Sequence, residues 1–102
     1  MIHVIATVQL EEGRRDEFLG IFHDLMPKVH AEEGCIEYAP AIDVDTGVSV
    51  QNMTGENAVT IIEKWESVEH LKAHLTAPHM LDYRQSIQGL VKGVTLNVLQ
   101  PA

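Results

Sequence analysis

The sequence predicts an α+β fold in which one antiparallel sheet carries its helices on a single face. Three observations support this prediction. Residues 2–10 alternate as a strand does, residues 14–32 repeat apolar side chains at helical spacing, and residues 58–66 alternate again. With a second strand, a second helical region and a last strand, the order becomes β-α-β-β-α-β, the split plan of ferredoxin-like domains. A chain of 102 residues is expected to form one domain over its whole length.

The first strand is predicted over residues 2–10. Its even-numbered positions are all apolar, which marks the face that packs on the core. Its odd-numbered positions place Ile5 among polar residues, so the second face is half polar. Because that face also needs cover, Ile5 and its counterparts predict that a second subunit packs there.

A helix is predicted from about Arg14 to Glu32. Its apolar stripe consists of Phe18, Leu19, Phe22, Leu25, Met26 and Val29. Pro27 lies inside this pattern and predicts a kink or the start of a new segment. Gly34 supplies a C-terminal stop.

Two strands are predicted in the middle of the chain. Residues 36–44 form the first of them, and Pro40 indicates an edge position or a bulge. The residues expected to share one face of this strand are Ile36, Tyr38, Ile42 and Val44. Residues 48–53 alternate weakly and are considered as a further short strand between two turns. Residues 58–66 predict the clearest strand, with one face formed by Val59, Ile61, Glu63 and Trp65.

The last third of the chain returns to helix and then to strand. Ser67 is predicted to be the N-cap of a helix that carries Val68, Leu71 and Leu75 on one side. Pro78 suits the first turn of a further helical stretch. The stripe of that stretch is formed by Met80, Tyr83, Ile87 and Leu90. After Gly93 the alternation of residues 94–99 predicts the final strand.

Composition narrows the classes of function. The formal net charge is −8, and only 7 residues are basic, which argues against nucleic acid as a partner. No apolar run approaches the ~20 residues that span a bilayer. Cys35 is the single cysteine, so no intrachain disulfide can form, and its acidic neighbours disfavour a reactive thiolate. We therefore expect a cytoplasmic protein without a membrane span.

The segment from Trp65 to Met80 concentrates the side chains that could carry chemistry. It holds the only tryptophan and three of the 6 histidines, and histidine exchanges protons near neutral pH. His70 and His74 lie four residues apart on a helix, a spacing that can place two imidazoles on one metal ion. No third ligand accompanies them and His70 is expected to face solvent, so no metal is predicted.

An aromatic-lined pocket is the favoured site in this segment. We expect its apolar walls to be Tyr38, Trp65, Met80 and Tyr83, with His74 or His79 at the rim. Such a box suits a flat aromatic ligand, because ligand sites combine apolar walls with a few placed polar groups. The alternative is that the aromatic side chains simply belong to the hydrophobic core.

Glu63 joins His74 and His79 among the predicted catalytic residues. It stands on an otherwise apolar strand face, where a half-buried carboxylate could hold a histidine in one tautomer. It could equally pair with a neighbour or with water. The sequence contains no motif for flavin, nicotinamide or nucleotide binding, so no cofactor is predicted.

Four segments of the chain carry a family resemblance: AEEGCIEYAP at residues 31–40, GVSVQNM at 47–53, EKWESVEHLKAHLTAPHM at 63–80, and LQP at 99–101. Together they resemble the antibiotic-biosynthesis monooxygenase (ABM) family. The likeness covers nearly the whole chain and is nearest to the small bacterial quinol monooxygenases. It implies a homodimeric α+β barrel with a pocket between sheet and helices in each subunit. It also implies oxidation of quinols or related phenols by dioxygen with no metal, flavin or haem.

The resemblance also implies roles for the predicted site residues. His74 or His79 would be the base that removes a phenolic proton, and Tyr38 and Tyr83 would orient oxygen atoms. Trp65 would be a wall of the pocket or assist electron flow.

Other activities of the same fold family are weighed against this expectation. Haem degradation is not expected, because Ala6, His74 and Arg84 replace the asparagine, tryptophan and histidine that it needs. Two alternatives stay open. One is an isomerase or lyase acting on a small carbonyl or phosphorylated sugar-like substrate, and the other is a non-catalytic quinone-binding module.

Overall fold

The computed structural model describes all 102 residues and contains a single four-stranded antiparallel sheet. Its elements are β1 (Ile2–Leu10), α1 (Arg15–His30), β2 (Cys35–Ala41), β3 (Ala58–Trp65), α2 (Val68–Leu75), α3 (Pro78–Ser86) and β4 (Val91–Leu99). The strand order is β2-β3-β1-β4. This arrangement confirms the predicted ferredoxin-like α+β fold, and β2, which contains Pro40, is an edge strand as expected.

The register of the two central strands decides which side chains reach the core. β1 pairs with β3 so that Ile2 lies opposite Trp65 and Val4 lies opposite Glu63. Because side chains alternate between the two faces of a strand, the even residues of β1 and the odd residues of β3 share the helix-covered face. All of these residues are buried, which confirms the predicted alternation in both strands.

The first helix, predicted over residues 14–32, continues through Pro27 without a break. α1 continues from Arg15 to His30 with Pro27 inside it, so no new segment starts there. Pro27 lies on the exposed side of α1, as does His23 one turn earlier. The His23 carbonyl, which loses its usual partner, can therefore be satisfied by water.

The second strand ends at Ala41, and the prediction that it extends to residue 44 is wrong. An irregularity in the pairing between Cys35 and Glu37 shifts the alternation, so Tyr38 is buried but Ile36 is exposed. Ile42 and Val44 are also exposed, so the shared apolar face predicted for this strand does not form.

Residues 42–57 form a connection without a strand, so the short strand considered for residues 48–53 is absent. Side-chain hydrogen bonds organise this connection instead of a ladder. The Asp43 carboxylate accepts from Thr54 Oγ1 and from the Gly55 backbone N–H, each at 2.8 Å. Gln51 Nε2 donates to the Val44 carbonyl at 2.7 Å.

The predicted start signals of the last two helices are confirmed. Ser67 Oγ accepts from the His70 backbone N–H at 3.2 Å and caps α2, and Pro78 occupies the first turn of α3. The final strand begins at Val91, earlier than predicted. By register, Val94 and Leu96 of β4 lie beside Val8 and Ala6 on the helix side of the sheet, yet they are exposed because no helix covers β4.

The opposite face of the sheet has no helix over it. Ile5 of β1 lies there between Ile62 of β3 and Asn97 of β4. This open face is half polar, as the first strand predicted. None of the helices combines the length and the apolar character needed to cross a bilayer.

Candidate active site

His74 lies at the centre of a buried cluster between β3 and the helices. Its ring centroid is 4.6 Å from that of Trp65 and 5.3 Å from that of Tyr38, and only 1% of the residue is exposed. The sequence placed His74 at the margin of the helical stripe. In the fold it is a core residue, because α2 packs over the point where Trp65 leaves the sheet.

Local sequence signals explain how His74 reaches this position. The Ser67 cap fixes the start of α2, so Leu71 and His74, three residues apart, point to the same side of the helix. Both are buried against the sheet. Burial lowers the pKa of His74, because a low-dielectric surrounding disfavours the imidazolium, although the hydrogen bond to Glu32 acts in the opposite direction.

Glu32 is the site residue that the sequence did not identify. It lies between the end of α1 and Gly34, and its Oε2 atom is 2.8 Å from His74 Nδ1 and 2.7 Å from His79 Nε2. One carboxylate oxygen therefore joins the two histidines predicted as alternative bases. The sequence signal for Glu32 was the acidic pair that it forms with Glu33 just before Gly34. That pair had been considered only for its effect on the reactivity of Cys35.

Glu63 is buried beside the same cluster. Its Oε1 accepts a 2.9 Å hydrogen bond from Trp65 Nε1, so it holds the indole rather than a histidine. Burial raises the pKa of Glu63 to about 7, and the Trp65 hydrogen bond opposes that rise. Near neutral pH this carboxyl group can accordingly hold or release a proton.

Both predicted tyrosines are buried and keep their phenolic protons. Burial, reinforced by the negative charge of Glu63, raises the pKa of each phenol above its usual value. The Tyr38 ring stacks on Phe22 with centroids 5.1 Å apart, and the Tyr83 ring meets Phe22 edge-on at 6.1 Å. His30 Nε2 donates to the Tyr38 carbonyl at 2.8 Å, which ties the end of α1 to β2.

The predicted wall residues are brought together by the fold, but as part of the core. Tyr38, Trp65, Met80 and Tyr83 all belong to the 17-residue hydrophobic cluster. Beside it, a groove of about 240 Å³ opens between α1 and α3. The two predicted site residues that line this groove are His79 and Tyr83.

His70 stands apart from the cluster. Its Nδ1 is 2.7 Å from Ser67 Oγ, and its ring covers Gly34, so it is half-buried rather than solvent-facing as the sequence predicted. The close approach explains why a glycine stands at position 34, where φ is +83°.

No three His, Cys, Asp or Glu side chains are arranged to hold a metal ion. Burial, with the charges of Glu32 and Glu63, raises the pKa of the Cys35 thiol.

Comparisons with known proteins agree with this architecture. The family model for the antibiotic biosynthesis monooxygenases matches residues 1–86. The chain is 42% identical to an Escherichia coli K12 protein named "Probable quinol monooxygenase YgiN", over 99% of this chain and 98% of that protein. A protein of the same name from Shigella flexneri matches equally well.

Solved structures show the same fold at lower identity. Rv0793 from Mycobacterium tuberculosis superposes with a TM-score of 0.80 at 24% identity, covering 99% of this chain and 94% of that one. PA3566 from Pseudomonas aeruginosa gives a TM-score of 0.81 at 21% identity, with coverages of 99% and 93%. The family model and the near-full-length relatives together assign the sequence, and the chain belongs to the antibiotic biosynthesis monooxygenase family.

Proposed function

We propose that this protein is a monooxygenase that oxidises quinols or related phenols with dioxygen and requires no cofactor. The observation that carries the proposal is the 42% identity, over nearly the full length of both chains, with a relative named as a quinol monooxygenase. The site supports it, since a linked pair of histidines lies beside an aromatic cluster and a groove.

The redox balance of this reaction needs no reductant other than the substrate. A naphthoquinol and one dioxygen give a hydroxynaphthoquinone and one water, and the quinol supplies all the electrons. The same quinol can instead give the quinone and hydrogen peroxide. Both routes begin when a phenol with an ordinary pKa near 10 loses its proton, since the resulting phenolate is the better electron donor. The protein has to bind the ring, remove that proton and exclude water.

The described contacts support distinct roles for the site residues. His74 or His79 is the base, since both imidazoles are fixed by Glu32. Tyr83 borders the groove and has a phenol that stays protonated, so it can donate a hydrogen bond to a substrate oxygen. Trp65, Tyr38 and Met80 belong to the buried apolar core beside the histidines, and Glu63 anchors the indole.

The proposal includes a homodimer in the cytoplasm. The open face of the sheet and the apolar residues of β4 are uncovered in one subunit, including Leu96 and Val98, which are 52% and 47% exposed. Apolar surface of this kind is stabilised when a second copy covers it. The single free thiol, Cys35, suits a reducing compartment.

The test is oxygen uptake by protein treated with a chelator, using several reduced naphthoquinols and correcting for autoxidation. We expect enzyme-dependent uptake without any added flavin, nicotinamide or metal. Chromatography of the product and a peroxide assay then separate hydroxylation from simple oxidation. His23→Gln is the matched control for variants of the site histidines, because it changes an exposed histidine on the outer side of α1.

Three outcomes would contradict the proposal. If none of the quinols is oxidised at an enzyme-dependent rate, the proposed monooxygenase activity is rejected. Turnover of a small carbonyl or phosphorylated sugar under anaerobic conditions would favour an isomerase or lyase. Tight binding of a quinone without turnover of the quinol would indicate a binding module.

A further inference from the structure

The shared carboxylate fixes the protonation of both histidines. With Glu32 as a carboxylate, its Oε2 atom can only accept hydrogen bonds. His74 Nδ1 at 2.8 Å and His79 Nε2 at 2.7 Å must therefore each carry a proton. In the neutral state this leaves one bare nitrogen on each ring, Nε2 of His74 and Nδ1 of His79.

The two histidine side chains differ in their access to a ligand. The His74 side chain is 2% exposed and is covered by Trp65 and Tyr38. The His79 side chain is 20% exposed and lines the groove between α1 and α3. A substrate in that groove can contact His79, whereas reaching His74 would require movement of the core.

The groove offers features that suit a phenolic ring. Leu25 and Ile21 of α1 supply apolar contact, and Tyr83 supplies a phenol. The charged groups that also line it are Asp24 and Lys28 from α1 and Asp82 from α3. Among the residues that line the groove, His79 alone carries an imidazole, the side chain that ordinarily exchanges protons near neutral pH.

We propose that His79 is the base, and that Glu32 is its positioning residue. A quinol hydroxyl binds in the groove against Nδ1 of His79. The phenolic O–H bond breaks, an N–H bond forms at Nδ1, and the electron pair stays on the substrate oxygen, from which dioxygen takes electrons. This inference rests on the proposed function and selects one of its two candidate bases.

Glu32 has two effects in this arrangement. It fixes the tautomer that leaves Nδ1 bare, and its negative charge stabilises the imidazolium formed after proton uptake. His74 donates to the same carboxylate oxygen as His79, so its hydrogen bond helps to keep Glu32 beside His79. His74 is thus a second positioning residue, acting through Glu32.

The first experiment measures ring tautomers, which do not depend on activity. Long-range ¹H–¹⁵N spectra of the imidazoles should show His79 protonated at Nε2 and His74 protonated at Nδ1. In Glu32→Gln an amide oxygen can still accept, so both tautomers should persist, whereas in Glu32→Ala they should be lost. The opposite tautomer in either histidine of the native protein would overturn the positioning role.

The second experiment measures steady-state oxidation of a naphthoquinol. We expect kcat to fall about 100-fold or more in His79→Ala with little change in KM, and added imidazole to restore part of it. Glu32→Gln should lower kcat by about 10-fold or more. His23→Gln should retain the native rate, and thermal unfolding checks that each variant is folded.

The two proposals fail in different ways. If the native protein oxidises quinols and His79→Ala or His79→Gln keeps the native rate, His79 is not the base and only this inference falls. If the native protein oxidises no quinol, the proposed function falls, and the tautomer spectra still decide whether Glu32 positions both rings.

Discussion

Trp65 Nε1 donates a 2.9 Å hydrogen bond to Oε1 of Glu63, two residues earlier on β3. Both side chains lie on the helix-covered face of the sheet, so an indole and a carboxyl group satisfy each other inside the core. The pairing gives Glu63, the one polar residue on the buried face of β3, a hydrogen-bond partner. It also leaves a titratable group buried, and burial raises the pKa of Glu63 to about 7.

Replacement of Glu63 by Gln should remove a pH-dependent loss of stability. The pKa of Glu63 rises from 4.5 in an unfolded chain to about 7 in the fold, so the folded chain binds this proton more tightly. The contribution of Glu63 therefore falls as pH rises from about 4.5 to 7, by about 3 kcal/mol in total. Urea unfolding across this range should show the native protein losing stability relative to Glu63→Gln.

The control for this prediction is the exposed Glu66, which follows the same strand. Glu66→Gln should change the free energy of unfolding by less than about 0.5 kcal/mol at every pH. Parallel stability curves for the native protein and Glu63→Gln would show that Glu63 has an ordinary pKa in the fold.

His74 should produce the opposite dependence on pH. Burial holds its pKa below the ordinary value of 6.5, so the unfolded chain takes up a proton that the folded chain resists. The stability that His74 contributes is complete above about pH 6.5 and is lost as pH falls toward its folded pKa. An NMR titration should place His74 below 6.5 and, in Glu32→Gln, lower still. A midpoint at or above 6.5 would contradict the burial of the ring.

Gly34→Ala should destabilise the fold by about 1–3 kcal/mol. Gly34 has a φ of +83°, and an added Cβ would overlap the His70 ring, which Ser67 holds in place. Thermal or urea unfolding gives the magnitude of the loss. In the double variant Gly34→Ala/His70→Ala, the part of the loss that comes from overlap with the His70 ring should be recovered, and the part that comes from the positive φ should remain. Gly20→Ala is the matched control, because a Cβ there meets nothing within 4 Å and alanine is the better helix former. Equal effects at the two glycines would refute the clash.

Ile5→Lys should convert the proposed homodimer into a monomer. Ile5 lies on the open face of the sheet between Ile62 and Asn97, and a buried ammonium there would have no partner. Light scattering coupled to size-exclusion chromatography should report two subunits for the native protein and one for the variant. His23→Lys, on the exposed side of α1, should leave the mass unchanged. A monomeric native protein, or an Ile5→Lys dimer, would show that this face is not the interface.

Much of the site chemistry was accessible from the sequence because its signals are local. The Ser67 cap and the Pro78 start placed both helices, and the alternation of residues 58–66 placed Glu63 and Trp65 on the core face. The errors arose where contacts between residues distant in sequence overrode the local alternation of apolar and polar residues. A pairing irregularity near Cys35 exposed Ile36, and Asp43 organised a connection where alternation had indicated a strand.

The sequence by itself determined the fold class and pointed to His74, His79 and Glu63, because residue spacing sets which face of a helix or strand each side chain occupies. Only the tertiary structure added Glu32 and decided which of these groups meet. Glu32 is 42 residues from His74 along the chain and 47 from His79, and the packing of α2 and α3 against the turn after α1 brings all three together. A contact of this kind depends on how elements pack in space, which no local spacing encodes.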